Sequence, residues 1–172
     1  MIRVLVSACL LGERVRYNGA AASVTSDVLG RWLDEGRVVS FCPELAGGLG
    51  VPRPPAEIRG GDGGAVLDGR ALVVTNAARD VTAAFLRGAH AALAAARAQD
   101  ARLAILKDGS PSCGRTAIHD GTFTGTTREG LGVTAALLER HGIRVFTERQ
   151  VTDAAEYLEG LERRSSTSAD RS

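Results

Sequence analysis

The chain has 172 residues, 44% of them hydrophobic, and a formal net charge of +1, which suits one globular domain with a full core. Its 21 basic and 20 acidic residues nearly cancel, and no basic stripe interleaved with aromatics marks a nucleic-acid partner. No apolar run approaches the roughly 20 residues of a membrane-spanning helix, and the Met1–Val6 stretch is too short for a signal-peptide core, so the expectation is a cytoplasmic protein without a membrane partner.

Arg3 to Val6 reads as a buried strand. A loop to Ser23 follows. Thr25 or Ser26 then caps a helix whose apolar stripe is Val28, Leu29, Trp32 and Leu33, and Gly36 stops it. Val38 to Phe41 is a second strand, so the unit favours a parallel pair with a right-handed crossover. Residues 43–65, rich in Gly and Pro, read as one long loop of the kind that is functional or disordered. Ala65–Leu67 and Ala71–Val74 flank Asp68-Gly69, a hairpin signal. An Ala-rich helix spans about 78–99, a third strand Leu103–Leu106, a run of turns 115–129, a helix about 132–141, and a fourth strand Ile143–Phe146. Asp153 with Glu156 signals a capping box for a last helix. The alternation of elements predicts a single α/β domain over residues 1–163, three-layered with a mostly parallel, Rossmann-like sheet. Residues 164–172 are expected to be a disordered polar tail.

The three cysteines are Cys9 in Ser7-Ala8-Cys9-Leu10-Leu11-Gly12, Cys42 in Cys42-Pro43-Glu44, and Cys113 in Asp108-Gly109-Ser110-Pro111-Ser112-Cys113-Gly114. An odd count without a CxxC pair argues against disulfides and against a thioredoxin-like redox pair. Each cysteine follows an apolar strand. Parallel strands would bring all three to one rim, where open α/β folds bind ligands. A free cysteine can also be a small buried hydrophobe, but Cys42 and Cys113 sit directly beside Pro43 and Gly114, and Cys9 lies in a loop-like string three residues before Gly12. Soft thiolates select zinc, copper(I) or iron–sulfur clusters. The H-x-E and Pro-Cys-x-x-Cys strings of zinc deaminases are absent.

Glu44, two residues after Cys42, is placed to move protons or orient water, the alternative being a solvated loop carboxylate. Ser110 and Ser112 offer hydroxyls and backbone donors, or a plain Asx-type turn. Lys107 is the only lysine and immediately precedes the Cys113 loop. It can supply a compact point charge or a labile proton, or be a surface residue at a strand end. Arg53 can hold an anion or a carbonyl oxygen. Gly47-Gly48-Leu49-Gly50 lacks the Gly-Lys-Ser/Thr of a phosphate loop.

Taken together, the motifs around Cys9, Cys42 and Cys113, with Val15-Arg16-Tyr17-Asn18-Gly19, Pro52-Arg53-Pro54-Pro55-Ala56-Glu57, Asp120-Gly121-Thr122-Phe123 and Gly132-Val133-Thr134-Ala135-Ala136-Leu137-Leu138, resemble the bacterial domain of unknown function 523 over residues 1–150. That family includes thiouracil desulfidases. The resemblance implies a 4Fe-4S cluster on Cys9, Cys42 and Cys113, with an open iron that takes the sulfur of a thiolated pyrimidine. It implies non-redox release of the oxo-base and sulfide, with Glu44 and Ser110 as catalytic residues. Arg53, Lys107, Ser112 and Tyr17 are then the residues expected to touch a small thio-base substrate. Two positions depart from the family pattern: Asn18 replaces the common Asp, and His119 stands where Tyr is usual. A cluster- or metal-binding carrier or sensor without turnover is the alternative. Nothing in the chain sets an oligomeric state.

Overall fold

The computed structural model describes residues 1–169. Four strands form the central sheet: β1 (Arg3–Ser7), β2 (Val38–Phe41), β5 (Ala101–Leu106) and β8 (Arg144–Thr147), in the order β2-β1-β5-β8. All three pairings are parallel, with Leu5 opposite Val39 and Ala104, and Ile105 opposite Phe146. Val4, Val6, Leu103, Ala104 and Ile105 are fully buried, as parallel strands covered on both faces must be.

One layer holds α1 (Asp27–Asp34) and α6 (Val151–Ala169), which pack on each other. With the Val4 and Val6 face of the sheet they bury Leu29, Trp32 and Leu158. The other layer holds α4 (Thr82–Ala98) and α5 (Val133–Arg140), over Leu5, Ala104 and Leu106. The fold is therefore the predicted three-layer α/β domain. The crossover after β1 runs on the α1 face, and that after β5 on the α5 face. The point where the connections diverge lies between β1 and β5, which is where such sheets open a ligand crevice.

Residues 43–65 are not one long loop. They contain α2 (Pro43–Ala46), β3 (Ala56–Arg59) and the start of α3 (Gly63–Leu67). The hairpin expected around Asp68-Gly69 is also corrected. Asp62 accepts the Ala65 amide at 3.1 Å and caps α3, a local bond that stabilises helix over strand. Gly69, at φ +75°, ends that helix, with Gly69 N–H on Val66 O and Arg70 N–H on Ala65 O. This pair of bonds is a Schellman stop. β4 (Leu72–Thr75) pairs instead with β3, antiparallel, Ile58 opposite Val73. Within the turns of 115–129 lies a small ladder of β6 (Ala117–His119) and β7 (Thr127–Glu129).

The last helix starts at Val151, two residues before the expected Asp153 cap, and continues through Ala169 where a disordered tail was expected. Ser165, Ser166 and Thr167 donate to carbonyls four residues back, on Leu161, Glu162 and Arg163. These hydroxyls share carbonyls that already serve the helix's own ladder, an arrangement that tends to bend a helix rather than to stabilise it. Residues 170–172 of that expected tail lie outside the described residues.

Candidate active site

The sheet's carboxyl rim sets the site. β1 ends at Ser7 and runs into a 3-10 turn, Ala8–Leu11, that carries Cys9. β2 ends at Phe41, and Cys42 is the N-cap of α2, with Pro43 in its first turn and Glu44 following. β5 ends at Leu106 and delivers Lys107, Ser110 and Cys113. These residues line one cavity of about 1010 Å³, together with Ser7, Tyr17, Arg53, Glu57, Arg79, His119 and Phe123.

The three thiols are free, and Cys9 and Cys113 are buried. Burial pushes the Cys9 thiol up to about 11, the neighbouring Cys42 adding to it. Burial raises Cys42 as well. It pushes Cys113 up to about 12, against the hydrogen bond from Ser7. Thiols so placed keep their protons until a cation displaces them. Among the described residues no three His, Cys, Asp or Glu side chains converge tightly enough for one metal ion. A tetrahedral zinc site would need that convergence. Three soft donors lining one cavity fit an iron–sulfur cluster, whose cysteines each take a different iron.

Glu44 is held by two nitrogens of Arg53, Nε at 2.6 Å and Nη2 at 2.5 Å. Arg53 also donates to Gly50 O and Val15 O, both at 3.0 Å. With these bonds nearly all its donors are committed. Its expected place is thus the cavity wall, but its guanidinium serves Glu44 and the flanking loops. Ser110 Oγ accepts the amides of Ser112 at 3.0 Å and Cys113 at 3.1 Å, and donates to Glu44 Oε1 at 3.4 Å. One hydroxyl therefore shapes the Cys113 loop and touches the carboxylate.

Lys107 Nζ donates to Glu148 Oε1 and Asp108 O, each at 3.0 Å. One of its three protons is left for the cavity. Tyr17 stands half-exposed on the same wall, 42% accessible. Ser112 is not brought to the cavity: it is 1% accessible and its Oγ pairs with Thr134 Oγ1 at 2.8 Å. Asn18 spends its side chain on the Ala20 amide, whereas His119 reaches the cavity wall.

Asp108 organises the loop from beneath. Its carboxylate accepts the amides of Arg115, Thr116 and Ala117, the Thr116 hydroxyl, and Arg149 Nη2. Burial opposes its charge, but these donors outweigh burial and hold its carboxyl down at about 2. Sequence reasoning missed Ser7, Glu57 and Glu148. Glu57 is a buried cavity carboxylate that accepts the amides of Gly121 at 3.0 Å and Phe123 at 3.2 Å. Glu148 directly follows β8, so the strand-end rule that found the cysteines would have found it too. Glu57 had no such signal, since it sits inside a strand.

A parallel α/β domain with a thiol-lined cavity at its topological switch point is an enzyme architecture. The chain belongs to the 2-thiouracil desulfurase family, whose model matches residues 4–150. It is 47% identical over 150 residues to the uncharacterized protein YbbK of Bacillus subtilis (strain 168), covering 87% of this chain and 98% of that one. Its fold matches the solved structure of the 4Fe-4S-dependent thiouracil desulfidase TudS, of the domain of unknown function 523, with a TM-score of 0.85. The two are 48% identical, and the match covers 92% of this chain and 99% of the other. The resemblance seen in the sequence motifs is thus confirmed, and the chain is an enzyme of the desulfurase kind. No described helix is long and apolar enough to cross a membrane.

Proposed function

We propose that the protein hydrolytically removes sulfur from a thiolated pyrimidine such as 2-thiouracil, with a 4Fe-4S cluster held by Cys9, Cys42 and Cys113. The observation that carries this reading is that three free thiols and the Glu44–Ser110 pair line the same cavity. When bound, an iron without a cysteine ligand supplies a thiophilic Lewis acid for the substrate's sulfur.

The residues supply the rest. Glu44 Oε1 takes a proton from the attacking water as its oxygen bonds to the thioamide carbon. Oε1 returns that proton to the sulfur, and as the C–S bond breaks it takes the remaining proton of the added hydroxyl and passes it to the departing sulfide. Substrate and water become oxo-base and hydrogen sulfide, with no net electron transfer. Ser110 Oγ, fixed by two amides, steadies Oε1 or the water. The remaining Lys107 proton and the Tyr17 hydroxyl hydrogen-bond the ring's heteroatoms.

The test is anaerobic reconstitution followed by assay of iron, labile sulfide and base. About four irons per chain, with uracil and sulfide released from 2-thiouracil, support the reading, and C113S should lose both iron and turnover. A loaded protein that turns over no thio-base is a carrier or sensor instead. A folded protein that takes up no iron overturns the cluster assignment.

A further inference from the structure

Ser7 occupies the N-cap of the 3-10 turn that carries Cys9, yet its side chain makes no capping bond there. A serine in that position ordinarily accepts from the turn's own amides. Here the residue is 3% accessible and its hydroxyl is turned across the sheet to the next strand. The Lys107 amide, at the end of β5, donates to Ser7 Oγ at 3.1 Å. With a lone pair thus engaged, the hydroxyl proton is left for Cys113 Sγ, 3.6 Å away. It is the one side-chain hydrogen bond to any of the three cysteine sulfurs among the described residues.

We infer that Ser7 is a positioning residue for the cluster: its hydroxyl orients the Cys113 sulfur and withdraws electron density from it. The inference rests on the cluster reading above. Its physical basis is that hydrogen bonds to cysteine sulfurs help set iron–sulfur potentials, and that partners behind the ligands fix their orientation and affinity. Ser7 joins the ends of β1 and β5 at the switch point. A single hydroxyl therefore ties the sulfur to both strands that flank the crevice. The asymmetry is specific to Cys113, since neither Cys9 nor Cys42 receives a side-chain donor.

The test compares wild type, S7A and S7T after anaerobic reconstitution, reading iron per chain, the reduction midpoint, and the rate of iron loss to a chelator. Loss of the donor leaves more charge on the sulfur, which disfavours the reduced state. The expected result is an S7A midpoint shifted to more negative potential and iron lost severalfold faster, with S7T close to wild type. If S7A cannot retain iron while S7T does, the hydroxyl's role is likewise supported. An S7A cluster with wild-type midpoint overturns the inference, as does an S7T protein that behaves like S7A. Failure of the wild type itself to take up iron is a separate result, and it removes the cluster reading rather than the role of Ser7 alone.

Discussion

Arg53 grips Glu44 through two nitrogens, at 2.6 and 2.5 Å, and both side chains are largely shielded from water, 7% and 15% accessible. Both nitrogens meet the same oxygen, Oε2, which pins it by a charge-assisted pair and leaves Oε1 to Ser110. Because Arg53 also holds Val15 O and Gly50 O, the carboxylate is referenced to two loops besides its own short helix. The arginine expected to bind substrate thus has its guanidinium committed to Glu44 and to two loop carbonyls.

This separates two kinetic outcomes. If Arg53 positions Glu44, R53M should lower kcat about 100-fold, roughly 2.7 kcal/mol of barrier, with KM changed little. Direct substrate binding would instead raise KM. R53K should not rescue, since a flexible ammonium cannot reproduce the planar donor set that holds Oε2, Gly50 O and Val15 O together, whereas added guanidinium should partly restore kcat in R53M. Steady-state kinetics with and without guanidinium decide the matter.

E44Q keeps one oxygen for Arg53, presents an NH2 to Ser110 in place of Oε1, and cannot take a proton. Loaded E44Q should show wild-type iron content and a kcat reduced about 100- to 10,000-fold, the usual range for a lost general base. Iron assay paired with sulfide release measures both. Undiminished turnover would remove Glu44 from the reaction.

The chain order of the site was legible because strand, then cysteine, recurs three times: Val6 before Cys9, Phe41 before Cys42, Leu106 before Cys113. Parallel pairing does the rest by placing like ends together. What was not legible depends on competition between local bonds. Asp68-Gly69 signals a hairpin in isolation, but the Asp62 cap and the Gly69 stop make α3. Ser110 and Ser112 are alike in sequence, two residues apart, yet Ser110 faces Glu44 and Ser112 is buried against Thr134. No spacing rule for an irregular loop distinguishes them. Ser7 and Glu57 were invisible because their partners are distant in sequence: Lys107 and Cys113 for one, Gly121 and Phe123 for the other.

The burial of Ser112 has a direct consequence. S112A should leave KM and kcat near wild type and lower stability by about 1–2 kcal/mol, because Thr134 loses its buried partner. Replacing both residues, as S112A with T134V, should recover much of that loss. Thermal unfolding of the single and double variants tests this, and a raised KM in S112A would return Ser112 to the substrate.

Asp108 predicts an acid limb in stability. Its carboxyl sits at about 2 in the fold against an ordinary 3.8. Between those values the unfolded chain binds the proton and the folded chain does not. Stability from this group is therefore complete above about pH 5 and lost as pH falls through 2. D108N should cost on the order of 2 kcal/mol at neutral pH, and the gap to wild type should close as the solution approaches pH 2. Denaturant titrations at several pH values measure it. A gap that stays constant with pH would show that the loop does not depend on the charge.

Two glycines on helices provide opposite levers. A Cβ on Gly88 of α4 would meet Pro43 O at 2.0 Å, and one on Gly47 would meet Ala84 O at 2.1 Å. The contact lets α2 lie directly against α4, and α2 is the element that bears Glu44 and follows Cys42. Backbone on both sides leaves no flexible atom to yield. G88A must push α2 off its seat, and overpacking of this kind costs about 1–3 kcal/mol or more. Gly30, on α1, has open space where its Cβ would go, so G30A should instead stabilise by up to about 1 kcal/mol. Melting temperatures should move in opposite directions. G88A should also bind less iron per chain than G30A, since Cys42 moves with α2. Equal iron in the two variants would mean that the α2–α4 contact supports the fold but does not place the thiol.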